Sequence, residues 1–162
     1  MNTNHPTAAG GRRTGLHRPR PRTLTVAGLV VGVVALAGCM SANQGKVVDQ
    51  INASRKANGV PAVTANDVVM GKAQAWSDHM AKTGVLEHTG GGTRVDTSGI
   101  PKWCAVGENV GQGSSTYAVH QAFLNSAPHR ANMLNRHYNR VGTGVTTGRG
   151  SVWVTEIYYQ AC

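Results

Sequence analysis

The chain has 162 residues, with 16 Lys and Arg against 7 Asp and Glu, a formal net charge of +9. Five of those Arg lie before residue 24 and all seven acids follow Cys39, so the chain from Cys39 onward carries only +4. That part holds no Lys/Arg cluster or basic helix face, which excludes a nucleic-acid binder, and its 124 residues suffice for one hydrophobic core, not two.

The N-terminus bears Arg12, Arg13, Arg18, Arg20 and Arg22, then a run from Leu24 to Ala37 that is apolar apart from Thr25, then Leu36-Ala37-Gly38-Cys39. A cationic head, an apolar core and small residues at a cleavage site make a secretory signal. At 14 residues the run is short for a bilayer core of about 30 Å, so a permanent span is the weaker reading. Arg12-Arg13 stands too far from the apolar run to fit the twin-arginine route well. L-A-G-C resembles the bacterial lipobox, in which the Cys is diacylated after cleavage before it. Residues 1–38 therefore read as a lipoprotein-type signal peptide and 39–46 as a lipidated tether. The expected location is extracytoplasmic, anchored to the cell membrane through Cys39, as two acyl chains hold stably where one does not. The alternative is an ordinary cleaved signal in which Cys39 is incidental. With Cys39 acylated, Cys104 and Cys162 remain, and an oxidising compartment favours pairing them over two free thiols.

From Lys46 the spacing of Val47, Val48, Ile51 and Ala57 predicts a first helix ending at Gly59. V-P-A-V-T at 60–64 is extended. Thr64-x-x-Asp67 matches a capping box, and Val69, Ala73, Trp76 and Met80 recur at core spacing along a second helix that stops at Gly84. Val85 to Ser115 is rich in Gly and reads as a long loop with a short strand within Cys104–Val110. Loops of this length in small domains tend to carry function. Ser115 or Thr116 starts a third helix through Phe123, and Ser126 with Pro128 starts a short fourth one carrying His129. Val141, Thr143 and Val145, a Gly148-Arg149-Gly150 turn and Val152–Tyr159 form a β-hairpin. Helices followed by a hairpin predict an α+β domain.

Four stretches carry a family resemblance: I-N-A-S-R-K-A-N-G-V at 51–60, L-E-H at 86–88, V-G-E-N-V-G at 106–111, and S-A-P-H-R-A-N-M-L-N at 126–135 leading into R-V-G-T-G-V. Together, in this order, they resemble the CAP superfamily, or SCP domain, of cysteine-rich secretory, antigen 5 and pathogenesis-related 1 proteins, in its bacterial branch. The resemblance covers nearly all of 47–160 and assigns 47–162 to one such domain. It implies a three-layer α–β–α sandwich around a small antiparallel sheet, and a cleft with two His and acidic partners that binds a divalent metal such as Zn²⁺ in some members. By position the cleft residues are His88, His129 and Glu108. Ser126 stands where many members have a second Glu, and Phe123 where they usually have Trp. Glu156, an acid in an otherwise apolar strand, is the candidate substitute for the missing partner, or else faces solvent.

Two imidazoles and a carboxylate offer three chemistries: holding Zn²⁺ with open positions for water, metal-free acid–base catalysis, or simply bridging the loop to the fourth helix. No H-E-x-x-H or G-x-S-x-G motif is present, and G-E-N-V-G-Q-G lacks the strand–turn–helix setting of a nucleotide loop. His79, His120 and His137 read as surface or packing residues, and Asn52 and Arg55 as hydrogen bonders that organise the fold. Three functions follow. The first is a non-enzymatic module binding lipid, cell-wall component or protein. The second is a zinc-dependent envelope hydrolase with catalytic candidates His88, Glu108 and His129. The third is a scaffold without ligand.

Overall fold

The computed structural model describes Gly11 and residues 40–162; the expected signal peptide and the expected lipidation site Cys39 lie outside the described residues. Among the described residues no helix is long and apolar enough to cross a membrane.

Helix α1 runs Ala42–Ala57, starting four residues before the Lys46 that apolar spacing indicates. Ser41 caps it: its Oγ accepts from the Gln44 amide at 3.3 Å, and Gln44 Oε1 accepts from the Ser41 amide at 2.8 Å. This reciprocal box is a polar signal invisible to hydrophobic periodicity. The stretch expected as a tether is therefore helical from Ala42, with Gln44 buried and its Nε2 donating to Thr143 O at 2.7 Å. After α1, Asn52 pins Val63 through both backbone groups, at 2.9 and 3.1 Å, which delivers the two-residue strand β1, Thr64–Ala65.

Helix α2 spans Asp67–Thr83 and ends on Gly84, whose φ of 77° takes the left-handed C-cap. Its N-cap is Asn66, which accepts from the Val69 amide at 3.2 Å; the box predicted from Thr64 and Asp67 does not form, because Thr64 is paired in the sheet. Met80 is fully buried as expected, but Trp76 is only half-buried at the margin of the core. The loop then ends at 102, not 115, since β2 covers Trp103–Gly113. The glycines of that strand suggest a loop in the sequence, yet they serve packing: a Cβ on Gly111 would lie 2.7 Å from the Phe123 ring. Helices α3 (Thr116–Asn125, capped by Ser115) and α4 (Ala127–Met133) follow. Strands β3 (Arg140–Gly148) and β4 (Ser151–Ala161) close the chain through a turn in which Arg149 and Gly150 have φ of 52° and 72°. Two left-handed residues are what a tight hairpin requires.

The sheet order is β1-β3-β4-β2. β3, β4 and β2 are antiparallel neighbours, whereas β1 pairs parallel with β3, so the predicted antiparallel sheet is a mixed one. Side-chain alternation along β4 builds two cores. Val154 and Tyr158 join Val47, Ile51, Val119, Phe123 and Met133 of α1, α3 and α4. On the other face Ile157 and Tyr159 meet Val69 and Ala73 of α2, and Trp153 meets Met80. At Gly144 a Cβ would collide with the Ala73 carbonyl, so the α2 backbone rests directly on β3. The result is the α–β–α sandwich expected. Cys104 and Cys162 form a disulfide with Cα atoms 5.3 Å apart, joining the start of β2 to the end of β4. Closing a loop with a sequence separation of 58 stabilises the fold by roughly 4 kcal/mol in the chain-entropy view.

Arg55, with 0% exposure, donates to the carbonyls of Pro61, Met133, Asn135 and Tyr138 at 2.7–3.1 Å. It thereby ties α1 to the end of α4 and to the segment entering β3. Replacing it by Lys keeps the charge but removes the planar fork. Arg55→Lys is expected to lower the unfolding free energy by about 3 kcal/mol or more, read from urea midpoints at unchanged m value.

Candidate functional site

The site forms at the free edge of the sheet. β2 is the outer strand beside β4, and its alternation sends Glu108 and Val110 toward the α2 layer while Asn109 and Gly111 face α3 and α4. The loop after α2 supplies His88 on one side, and α4 supplies His129 on the other. His88, Glu108 and His129 line one cleft of about 380 Å³ together with Gly107, Asn132 and Thr93. Residues 20 and 41 positions from His88 along the chain thus share a cavity with it, which α4 and the loop create across the β2 edge.

Glu108 is buried, with 0% side-chain exposure. Its Oε1 takes two hydrogen bonds, from His88 Nδ1 at 2.8 Å and from the Thr89 amide at 2.9 Å. Its Oε2 is buried with no hydrogen-bond partner among the described residues. A buried carboxylate oxygen without a donor is costly, so this is where a further donor is called for. His129 packs its ring on Phe123, centroids 5.0 Å apart, and its Nδ1 meets Ser126 Oγ at 2.7 Å. Ser126 makes no side-chain cap bond to α4; its hydroxyl is turned to the imidazole instead. Both rings therefore commit Nδ1 to a neighbour, and among the described residues neither Nε2 has a partner. Burial first, and the charge of His88 second, hold His129 below its ordinary pKa of 6.5.

Glu156 does not stand in for a cleft carboxylate and does not face solvent. It is 1% exposed beneath the site, where Oε2 accepts from Tyr158 OH at 2.7 Å and from Asn109 Nδ2 at 3.0 Å. Asn109 also donates to His129 O at 3.1 Å, and Asn132 Nδ2 donates to Asn109 Oδ1 and to Glu108 O at 3.0 and 3.1 Å. This amide network, which locks α4 to β2, escapes the reading of the sequence. Its signal there is only that Asn109 and Asn132 stand inside the same short stretches as Glu108 and His129. Of the other histidines, His137 is exposed, His79 stacks on Trp76, and His120 is buried against Ser54 Oγ at 2.9 Å.

Residues 48–159 match the model of the cysteine-rich secretory protein family, CAP. The chain belongs to the CAP family. It is 30% identical over 127 residues to YkwD of Bacillus subtilis, itself uncharacterised; the match covers 72% of this chain and 47% of YkwD. The chain thus spans about half the length of that curated relative. An extracellular SCP-domain protein of Bacillus anthracis superposes with a TM-score of 0.60 at 23% identity, covering 73% of this chain and 40% of the other. An outer surface protein of Borrelia burgdorferi does so with a TM-score of 0.63 at 13% identity, covering 76% and 96%. At these identities the two structures speak for the fold. This CAP domain keeps two imidazoles and one carboxylate at the cleft, with the carboxylate of Glu156 sunk below it.

Full burial raises the Glu156 pKa from 4.5 to about 7, against the opposing hydrogen bonds of Tyr158 and Asn109. Between those values the native state holds a proton that the unfolded chain has released, so stability falls as pH rises from about 4.5 to 7 and is flat above. Glu156→Gln is expected to abolish most of that decline, on the order of 3 kcal/mol, in denaturation curves measured from pH 5 to 8.

Proposed function

We propose that this CAP domain is a non-enzymatic, extracytoplasmic binding module, tethered to the membrane through a lipid on Cys39 and taking its ligand in the His88–Glu108–His129 cleft. The observation that carries the reading is the buried Glu108 carboxylate in the wall of an open cleft. One of its oxygens is satisfied and the other has no donor among the described residues, and two imidazole nitrogens share the cavity. Such a cleft suits a ligand bearing a hydrogen-bond donor: a lipid headgroup, a cell-wall fragment or a protein side chain. The arginine-rich, apolar N-terminus and the L-A-G-C sequence support export and lipidation, and the Cys104–Cys162 bridge suits an oxidising compartment.

A second reading, a zinc-dependent envelope hydrolase, has one feature in its favour. Among the described residues each imidazole has Nδ1 engaged and Nε2 free, the arrangement in which neighbours orient metal-binding histidines. Among those same residues, however, no three His, Cys, Asp or Glu converge as a metal-holding group. The donors fit a two-imidazole site that water or ligand atoms must complete. His88 and His129 would hold the ion, and it would supply Lewis acidity there.

Cys39→Ser is expected to shift the protein from the detergent phase to the aqueous phase on membrane partitioning; an unchanged distribution overturns the anchor. Native mass spectrometry of protein taken from its own membrane is expected to find a co-purifying ligand that His88→Ala with His129→Ala releases. Repeated recovery without any ligand, with those substitutions lowering stability by about 1–3 kcal/mol and nothing else, assigns the histidines to scaffolding. Zinc that co-purifies in equimolar amount and is lost in the same variant moves the assignment to the metal site.

A further inference from the structure

Helix α2 borders a second concavity that shares no lining residue with the imidazole cleft. It measures about 330 Å³, within the range of small-molecule sites, and is lined by Lys72, Ala75, Trp76 and His79 of α2 with Thr89 and Asp96 of the following loop. That loop is a wall between two cavities: His88, Thr93 and Val95 border one, Thr89 and Asp96 the other.

Trp76 is the residue that the core does not explain. The buried face of α2 is already complete with Val69, Met70, Ala73, Ser77, Met80 and Ala81, and the indole sits half-buried beside it. It is nevertheless held from three directions. Nε1 donates to Glu87 O at 2.8 Å, His79 stacks on the ring with centroids 4.6 Å apart and planes at 18°, and the side chain packs on the Met80–Trp153 cluster. An aromatic ring immobilised before binding offers contact area with little ordering left to do. Polar groups stand around it. Lys72 Nζ meets Asp96 Oδ2 at 2.5 Å, and the Asp96 amide donates to Thr89 Oγ1 at 2.8 Å, which leaves the Thr89 hydroxyl proton to donate.

Charge narrows the ligand. Lys72 is matched by Asp96, and His79 Nε2 lies 3.7 Å from Glu87. A phosphate or an ammonium would find each countercharge already engaged, so neither is favoured. What fits is a neutral molecule with an apolar face for the indole and hydroxyls that accept from Thr89 and share the Lys72–Asp96 pair, whose Asp96 oxygens also take the Ser98 amide and hydroxyl at 2.9 and 2.8 Å. A pyranose ring has both.

We propose that this pocket is a saccharide-binding site, taking a neutral sugar unit of a glycan between Trp76 and the Lys72–Asp96 pair. It stands independently of the imidazole cleft. The loop that separates the two pockets would let a longer glycan reach past His88, and the site itself does not need that reach.

The test follows the indole N–H signals of Trp76, Trp103 and Trp153 in the mature protein by NMR, during titration with chitotetraose, maltotetraose and a peptidoglycan disaccharide. A saturable shift at Trp76 with at least one of these sugars is expected, with the buried Trp153 unmoved. Trp76→Phe, followed through the backbone amide signals of the lining residues Thr89 and Asp96, is expected to weaken binding at least tenfold, about 1.4 kcal/mol. Asp96→Ala is expected to weaken it in the same direction without touching the core. Absence of any Trp76 shift at about 10 mM of all three sugars overturns the proposal. So does undiminished binding in a Trp76→Phe protein whose Trp103 and Trp153 signals are native, or a larger Trp76 shift with inorganic phosphate than with sugar.

Discussion

The fold depends on Arg55. A guanidinium with no exposed surface is expensive to bury, and among the described residues it has no carboxylate within salt-bridge distance. It is satisfied by four carbonyls, drawn from the turn after α1, the end of α4 and the entry to β3. Desolvation pulls its pKa below the ordinary value while the nearby Tyr158 hydroxyl pulls it back. Those carbonyls belong to irregular backbone that a small domain must bury somewhere, and one forked cation gathers them. Because α4 is held at its C-terminal end in this way, His129 and Asn132 project toward β2 from a fixed platform.

The cleft draws its residues from both faces of one edge strand. Glu108 points into the α2 layer and reaches His88; Asn109, one residue on, points into the α4 layer and reaches His129 through its carbonyl. The alternation of a strand thus separates two adjacent polar residues into two networks, one at the cleft and one beneath it. Beneath it, Glu156, Tyr158, Asn109 and Asn132 form a buried chain of hydrogen bonds, with Glu156 Oε1 unpaired among the described residues. A network of this kind is stiff where its bonds are made and costly where they are not. It gives α4 a register against β2 that apolar packing of a seven-residue helix alone would specify poorly.

Much of the secondary structure is legible in the sequence, for reasons that can be named. Gly148-Arg149-Gly150 marks the hairpin because few residues accept consecutive positive φ angles, Ser115 marks the start of α3 because a short hydroxyl competes for backbone amides, and Pro128 marks that of α4 because its ring suits the first helical turn. The departures share one origin. Apolar spacing misses the start of α1 because its cap is polar, and the Thr64-x-x-Asp67 capping pattern misplaces the cap of α2 because Thr64 pairs with the distant Arg140 in the sheet. The glycines of β2 read as breakers, whereas α3 and Tyr138 crowd them from outside. Trp76 falls at core spacing on α2, but periodicity does not say how wide the buried stripe is.

The sequence by itself determined which residue types were available: an arginine-rich head and an apolar run ending in a lipobox-like stretch at Cys39, two further cysteines, and His88, Glu108 and His129 inside motifs that resemble the CAP family. Those properties are local or are carried by motif order, so one dimension suffices for them. Tertiary structure alone decided that Glu156 lies under the site and not in it, that Ser126 serves His129 in place of the helix end, and that the loop after α2 divides two pockets. Each of these is a question of which face of a strand or helix a side chain takes, and against what. Spacing along a chain does not contain that until long-range packing has chosen the register.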